Sequence, residues 1–170
     1  SQEIEQATLA TTASKYAASN KLDLSASSWN NPDRNPITDI KKGKQAVADQ
    51  TGFEPNQLVL SGDAWNALST NPFTLGLFTR GEVEELIITP AMLAAKLDLT
   101  EIAVGRTTYI NENGATVKAW GTHAVLAYTE IGSPTNALPS FGYTYTLEGN
   151  PVVEQAWYNN TKKSWMYPVN

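Results

Sequence analysis

The chain has 170 residues and a net charge of -5, a length that suits one domain or two small intertwined ones. The acidic balance argues against a dedicated nucleic-acid binder, and the absence of cysteine excludes disulfides, zinc fingers and thiol catalysis. No apolar run approaches the roughly 20 residues of a membrane-spanning helix, and the N-terminus lacks the charged-then-apolar order of a signal peptide.

The first predicted element is a helix over residues 2–19 with a face of small side chains. The residues at helical spacing on that face are Ile4, Ala7, Ala10, Ala13 and Ala17. Because alanine lets a neighbouring backbone approach closely, we expect this face to pack on a sheet or on a partner chain. Residues 20–35 are rich in Ser, Asn, Asp and Pro and predict an irregular connection, with Leu22, Leu24 and Trp29 as its apolar anchors.

Capping residues predict three further helices. Their start and stop signals are, in order, Asn35-Pro36 and Gly52, Ser61 and Asn71-Pro72, and Thr89-Pro90. Their predicted inward residues are Ile37, Ile40 and Val47, then Trp65 and Leu68, then Leu93 and Leu97. Between the first two of these helices, residues 57–60 predict a short buried strand.

After the last of these helices the pattern changes to that of strands. The first strand has Ile102, Val104 and Thr108 on one side, and residues 111–114 form the turn that follows it. A returning strand comes next, and residues 124–128 are apolar enough to predict a strand that is buried on both faces.

The C-terminal part predicts a crossing followed by antiparallel strands. Residues 132–139 resemble a connection between two lobes, and strict alternation over residues 141–147 predicts a half-buried strand. Two more strands, residues 152–158 and 164–167, flank a turn. Since a lone leading helix cannot bury its face by itself, we expect it to form one lobe with these closing strands, and residues 36–130 to form a second lobe inserted into the first.

No motif predicts catalysis, a cofactor site or a metal site, and no residue is assigned to any of the three. The single histidine, His123, begins an apolar strand and is interpreted as structural; a hydrolase would need it exposed in a cleft beside a serine and a carboxylate. The densest acidic group and a short lysine cluster are both interpreted as exposed surface. Their members are Glu82, Glu84 and Glu85, and Lys41, Lys42 and Lys44.

Aromatic residues crowd the last two predicted strands. They are Trp157, Tyr158, Trp165 and Tyr167. The favoured interpretation is packing in a core or a subunit interface, where large rigid side chains contribute most of the energy. The alternative is a stacking platform for sugars, as in a carbohydrate-binding module, or for single-stranded nucleic acid.

Several short motifs occur along the chain in a particular order and spacing. Each motif alone is a weak signal, but the whole series is a more specific one. The first are Trp29, the helix start Pro36-Ile37-Thr38-Asp39-Ile40, and Thr51-Gly52-Phe53-Glu54-Pro55-Asn56 before an apolar strand. The next are Trp65-Asn66-Ala67-Leu68, Asn71-Pro72, a strand over residues 102–109, Ala119-Trp120-Gly121 and Ser140-Phe141-Gly142-Tyr143-Thr144. Together, over residues 1–150, they resemble the major capsid proteins of tailed bacteriophages and prophages.

The resemblance implies an α+β Hong Kong 97-type capsid fold, with a spine helix and antiparallel strands in a peripheral domain and an inserted mixed α/β axial domain. It places residues 1–36 and 131–170 in the peripheral domain and residues 37–130 in the axial domain. Relatives carry an N-terminal arm and an extended loop before the spine helix, and this chain is expected to lack both.

The function that the resemblance implies is structural and not enzymatic. Copies of the chain would form pentamers and hexamers and close an icosahedral shell around double-stranded DNA, in a virion assembled in the bacterial cytoplasm. The implied partners are other copies, a scaffold, a maturation protease, a portal and, without sequence specificity, the packaged DNA; no cofactor and no membrane are implied. We expect subunit contacts on the exposed face of residues 2–19 and around residues 71–85. An encapsulin-like nanocompartment shell is the alternative with the same fold.

Overall fold

The computed structural model describes residues 2–79, 87–130, 140–141, 157–159 and 164–166, and it gives no side chains for residue 2 or for the last two of these segments. The helices are α1 (Gln2–Thr11), α2 (Pro36–Thr51), α3 (Gly62–Thr70), α4 (Pro72–Leu75) and α5 (Pro90–Leu97). The strands are β1 (Gln57–Ser61), β2 (Glu101–Gly105), β3 (Thr108–Ile110), β4 (Thr116–Lys118), β5 (Ala124–Ala127), β6 (Trp157–Asn159) and β7 (Ser164–Met166). This mixture of helices and strands agrees with the predicted class.

A three-stranded sheet in the order β2-β1-β5 lies at the centre of the described residues. β1 is parallel to β2, with Leu58 opposite Ile102, and antiparallel to β5, with Leu58 opposite Leu126. A parallel pair requires a long crossover, and α3, α4 and α5 form it here. β3 with β4 and β6 with β7 form separate antiparallel hairpins.

The hydrophobic core lies between this sheet and the helices α2, α3 and α5. Its largest fully buried apolar side chains are Leu58, Leu60, Leu68 and Leu93. The inward residues predicted for the second, third and fourth helices are buried here, except Val47, which is only partly buried. The helical spacing of the apolar residues therefore predicted most of the core correctly.

The prediction that residues 124–128 are buried on both faces is wrong. Among the described residues, β5 lies at the edge of the sheet and pairs with β1 alone; Ala124 is exposed, and Ala127 is the buried residue of the strand. One face is covered by α2, where a Cβ on Gly43 would lie 2.8 Å from Leu126 Cδ1. An apolar strand is buried on both faces only when layers cover both, and here Val125 and Leu126 stay partly exposed.

The leading helix is shorter than predicted, because α1 ends at Thr11 and two 3-10 turns, Ala13–Lys15 and Ala18–Asn20, follow it. The hydroxyls of Thr8, Thr11 and Thr12 donate to the carbonyls four residues earlier, a bond that weakens and bends helices. Thr12 is then extended, with φ -75° and ψ 102°.

The small-residue face of the leading segment survives only within α1. Ala7 and Ala10 are buried and α1 packs against β5, whereas Ala13 and Ala17 lie beyond the end of α1 and are exposed. In the connection that follows, Trp29 is buried and Leu24 packs against the core, as predicted, whereas Leu22, predicted as a third anchor, is 59% exposed.

Tyr16 connects the start of the chain to the segment beyond residues 131–139. Its hydroxyl donates to the carbonyl of Ala10 at 2.6 Å, and its ring stacks on Phe141 with 6.4 Å between centroids. The backbone N–H of Phe141 donates to the carbonyl of Tyr128. Burial raises the pKa of the Tyr16 phenol above its ordinary value.

The predicted start and stop of α2 are confirmed. The Asn35 side chain accepts hydrogen bonds from the backbone N–H groups of Ile37 (3.0 Å) and Thr38 (3.2 Å), and Pro36 occupies the first helical position. Gly52 ends the helix with φ 76°, a left-handed conformation that favours glycine.

Replacing Asn35 with alanine is expected to lower the free energy of unfolding by about 1 kcal/mol, because two N–H groups of the first turn lose their acceptor. Urea denaturation of the purified chain would measure this. Asn30→Ala is the matched control, since Asn30 is exposed and caps no helix; we expect a change within about 0.5 kcal/mol. Equal effects of the two substitutions would show that the cap contributes nothing measurable.

A buried polar junction fixes the connection between α1 and α2; we call it the Asn71 junction. Asp39 accepts hydrogen bonds from Trp29 Nε1 (3.1 Å) and from Arg34 Nε (2.8 Å) and Nη2 (2.7 Å), and the hydrogen bond to Asp39 raises the pKa of Arg34. Asn71 Nδ2 donates to the carbonyls of Trp29 and Arg34, both at 3.0 Å, while its Oδ1 accepts from the N–H of Phe73. Asn71 thus both ends α3, as predicted, and starts α4.

The lysine cluster predicted as exposed surface divides into two parts. Lys41 and Lys42 are exposed, as predicted. Lys44 instead donates from Nζ to the carbonyls of Leu97 (3.0 Å) and Asp98 (3.1 Å) at the C-terminus of α5. A cation there satisfies orphan carbonyls and opposes the negative end of the helix dipole.

Candidate functional site

A polar cleft of about 260 Å³ opens where the N-terminus of α3 meets the end of β2 and the base of the β3–β4 hairpin. Its lining residues are Ser61, Gly62, Asp63, Asn66, Gly105, Arg106, Thr108, Lys118, Trp120 and Gly121. Small-molecule sites usually measure roughly 300 to 1,000 Å³, so this cleft does not by itself indicate a substrate pocket.

An ion pair crosses the cleft. Lys118 Nζ, at the base of the hairpin, lies 2.8 Å from Asp63 Oδ1 and 2.6 Å from Asp63 Oδ2 in the first turn of α3. Ser61 caps this helix by accepting from the N–H of Ala64 at 3.1 Å. Both charged side chains are largely exposed, so the pair contributes little to stability and mainly holds the hairpin against α3.

Trp120 closes the floor of the cleft. A Cβ on Gly105 would overlap Trp120 Cδ1, so the indole packs directly on the glycine backbone. Trp120 Nε1 is buried and meets no acceptor among the described residues. This contact also explains why the strand predicted over residues 102–109 is two strands: the chain leaves the sheet after Gly105, and β3 pairs with β4 instead.

Arg106 lies at the mouth of the cleft and is exposed. The stem of its side chain passes over Gly62, whose Cβ would lie 3.6 Å from Arg106 Cγ. Asp63, the carboxylate of the cleft, is bound on both oxygens by Lys118. Within the described part of the chain, the Arg106 guanidinium therefore has no carboxylate partner.

Sequence reasoning assigned no role to Asp63, Arg106 or Lys118. These residues are far apart in the chain and become neighbours only in the register of the β3–β4 hairpin, where Thr108 pairs with Lys118. The one available signal was the turn at residues 111–114, whose predicted position is confirmed. Gly114 has φ 75°, and Asn111 Oδ1 accepts from the N–H groups of Asn113 and Ala115.

His123 does not form a catalytic arrangement with the residues around it. It is exposed, its Nδ1 lies 3.3 Å from the carbonyl of Trp120, and its own carbonyl accepts from the N–H of Ser61. The Ser61 side chain is buried and occupied as a helix cap. Across residues 2–79 and 87–130, no serine hydroxyl or carboxylate is hydrogen-bonded to His123, which gives the hydrolase alternative no support.

Two other predictions concern metals and membranes. Among the described residues, no group of three or more His, Cys, Asp or Glu side chains could hold a metal ion. The acidic group Glu82, Glu84 and Glu85 lies outside those residues, so its prediction stays untested. None of the described helices is long and apolar enough to cross a bilayer.

Exposed apolar side chains lie in both regions where subunit contacts are expected. Leu9 on α1 is 62% exposed and Phe73 on α4 is 42% exposed, and Ile87, just before α5, is 85% exposed. The predicted crossing and most of the strand over residues 141–147 lie outside the described residues. Of the last two predicted strands, residues 152–156 and 167 also lie outside the described residues; the described parts form the β6–β7 hairpin, where Tyr158 pairs with Trp165.

Comparison with known proteins identifies one similar protein from a phage and one phage-related protein from a bacterium. No family model matches the sequence. The chain is 31% identical over 153 residues to the major capsid protein of Burkholderia phage BcepMu, an alignment that covers 87% of this chain and 49% of that protein. The crystal structure of a phage-related protein from Bordetella bronchiseptica RB50 matches with a TM-score of 0.80 and 35% identity, covering 96% of this chain and 53% of the other.

The chain therefore spans about half the length of the relatives it matches. The similarity does not favour the nanocompartment or carbohydrate-binding alternatives, since the BcepMu protein is named as a phage major capsid protein. The resemblance predicted from the motifs is confirmed: over most of its length, this chain is similar to a phage major capsid protein.

Proposed function

We propose that this chain is the shell-forming part of a phage or prophage major capsid protein, with a structural and not a catalytic role. The observation that carries the proposal is the alignment of 87% of the chain with the BcepMu major capsid protein. The structural match to a phage-related protein at a TM-score of 0.80 supports it independently of the motifs.

The proposed fold is of the Hong Kong 97 type, with residues 1–36 and 131–170 in the peripheral domain and residues 37–130 in the axial domain. Apart from Pro36, the first residue of α2, the helices α2 to α5 and the three-stranded sheet fall within the proposed axial range, which supports its treatment as one unit.

The proposed partners are other copies of the same protein, arranged as pentamers and hexamers in an icosahedral shell around double-stranded DNA. A scaffold, a maturation protease and a portal are further proposed partners, with assembly in the host cytoplasm and the virion as the final location. The net charge of -5 suits a shell that must not hold its genome tightly, because phosphate binding requires a basic surface.

The complete protein is expected to assemble into closed shells tens of nanometres across when it is produced together with the proteins encoded beside it. Light scattering and negative-stain electron microscopy would detect them. A variant with Leu93, a fully buried core residue, replaced by arginine should yield no shells and serves as the unfolded control. Only small species from the wild-type protein, even with its neighbours present, would contradict the proposed function.

A further inference from the structure

The β3–β4 hairpin carries opposite charges at its two ends. At the base lies the cleft with Arg106, whose guanidinium has no carboxylate partner among the described residues because Lys118 occupies Asp63. At the tip, Glu112 lies in the turn between the two strands, is exposed, and makes no ion pair within the described part of the chain. Among the described residues, a cation just before the hairpin and an anion at its tip are thus both without an ion-pair partner.

The two charges do not meet within one copy: no ion pair between Arg106 and Glu112 is present among the described residues. Three consecutive pairs, from Thr108 with Lys118 to Ile110 with Thr116, keep the hairpin extended. At about 3.4 Å per residue, this ladder separates the backbone at the tip from the backbone at the base by roughly 10 Å. The bidentate contact of Lys118 with Asp63 also fixes the base of the hairpin against α3.

We propose that Glu112 at the hairpin tip of one copy pairs with Arg106 in the cleft of a neighbouring copy. The proposal rests on the proposed shell function and names one contact within it. Because the contact joins two different surfaces, it is head-to-tail, the type of interface that closes into rings when the rotation between copies permits. Ile110 lies beside the tip and is 73% exposed, and it would add apolar area to the same contact.

The positive charge of Arg106 favours a carboxylate as the group that enters the cleft, and we assign that carboxylate to Glu112 of a second copy. Arginine binds carboxylates through paired N–H donors, and here its stem is already supported by the backbone at Gly62. A cleft of about 260 Å³ can admit a single side chain at the tip of a turn. A phosphate of packaged DNA could also bind an arginine, and a charge swap distinguishes the two.

The test uses the complete protein with Arg106→Glu, Glu112→Arg and the combination of both. Each single reversal is expected to reduce the yield of shells about tenfold, because it places like charges at every copy of the contact, and the combination should restore most of the yield. Lys42→Glu is the matched control: it makes the same charge change on an exposed residue of α2 and should leave the yield unchanged. If the combined variant is no better than the singles, or if the singles assemble like the wild type, the contact does not exist.

Cross-linking separates failure of this contact from failure of the proposed function. In a background without other cysteines, Arg106→Cys and Glu112→Cys copies are mixed and treated with a short bis-maleimide. Cross-linked pairs containing one copy of each variant, in excess over pairs of identical variants, support the contact even if no shell forms. Normal shells without such pairs overturn the contact and leave the shell function intact. The absence of both shells and pairs contradicts both proposals.

Discussion

Replacing Asn71 with aspartate is expected to lower the free energy of unfolding by about 3 kcal/mol, although the two side chains have nearly the same shape. Asn71 is 3% exposed, and its Nδ2 donates to the carbonyls of Trp29 and Arg34, both at 3.0 Å. Aspartate keeps the acceptor for the N–H of Phe73 but places a negatively charged oxygen against those two carbonyls. Urea denaturation at neutral pH would measure the loss.

The matched control is Asn30→Asp, which adds the same charge to an exposed residue of the same connection and should change stability by less than about 0.5 kcal/mol. Repeating the measurement in acid gives a second readout, because a protonated carboxyl can donate one hydrogen bond and should recover part of the loss. An Asn71→Asp variant as stable as the wild type would show that the two donated bonds contribute nothing.

Replacing Gly105 with alanine is expected to lower the free energy of unfolding by about 3 kcal/mol, because the added methyl group would overlap Trp120 Cδ1 and Nε1. The indole must move, and the hairpin that follows Gly105 moves with it. Urea denaturation would measure the loss, and near-ultraviolet circular dichroism would report the displaced tryptophan. Gly62→Ala is the matched control, since its methyl group would meet Arg106 Cγ at an ordinary 3.6 Å.

A double-mutant cycle with Trp120→Leu tests the cause of this loss. If the clash is responsible, Gly105→Ala should cost much less when residue 120 is already leucine, with a coupling of about 2 kcal/mol. Additive effects of the two substitutions would instead place the cost of the alanine in the backbone of β2. The same variants also bear on the proposed intersubunit contact, because a displaced hairpin would carry Glu112 away from a neighbouring cleft.

The parts of the fold that were predicted correctly depend on local chemistry. The caps at Asn35, Ser61 and Thr89 each satisfy N–H groups within three residues, so their signal is contained in a short stretch of sequence. The end of α1 is also local, but its signal is weaker, because threonine hydroxyls compete for carbonyls in a helix that alanine otherwise favours.

The parts that were predicted wrongly depend on contacts between distant segments. Whether residues 124–128 are buried on both faces is decided by their position at the edge of the sheet, and the break after Gly105 is decided by the packing of Trp120. Lys44 can donate to the carbonyl of Leu97 at the C-terminus of α5 only when the fold brings α2 and α5 together. No short stretch of the sequence contains the information that decides these three features.

The motif resemblance has a physical counterpart in the Asn71 junction. Trp29, Asp39 and Asn71 come from three separate motifs, and the fold brings them into one buried network of hydrogen bonds. Buried polar groups must find partners, so each of these side chains constrains the other two. The candidate site, by contrast, was not predictable, because Arg106, Asp63 and Lys118 are ordinary surface charges until the hairpin register is known.

The order of strands in the central sheet also has a kinetic consequence. β1, the middle strand, is synthesised first, yet both of its neighbours come much later in the chain: Leu58 pairs with Ile102 on one side and with Leu126 on the other. Such high contact order slows folding, because a long loop must close before either pairing contributes stability. During synthesis on the ribosome, the apolar residues of β1 therefore have no partner strand until β2 and then β5 have emerged. Aggregation competes with folding during this interval. The rate at which folded subunits are produced therefore depends on how fast β2 and β5 pair with β1.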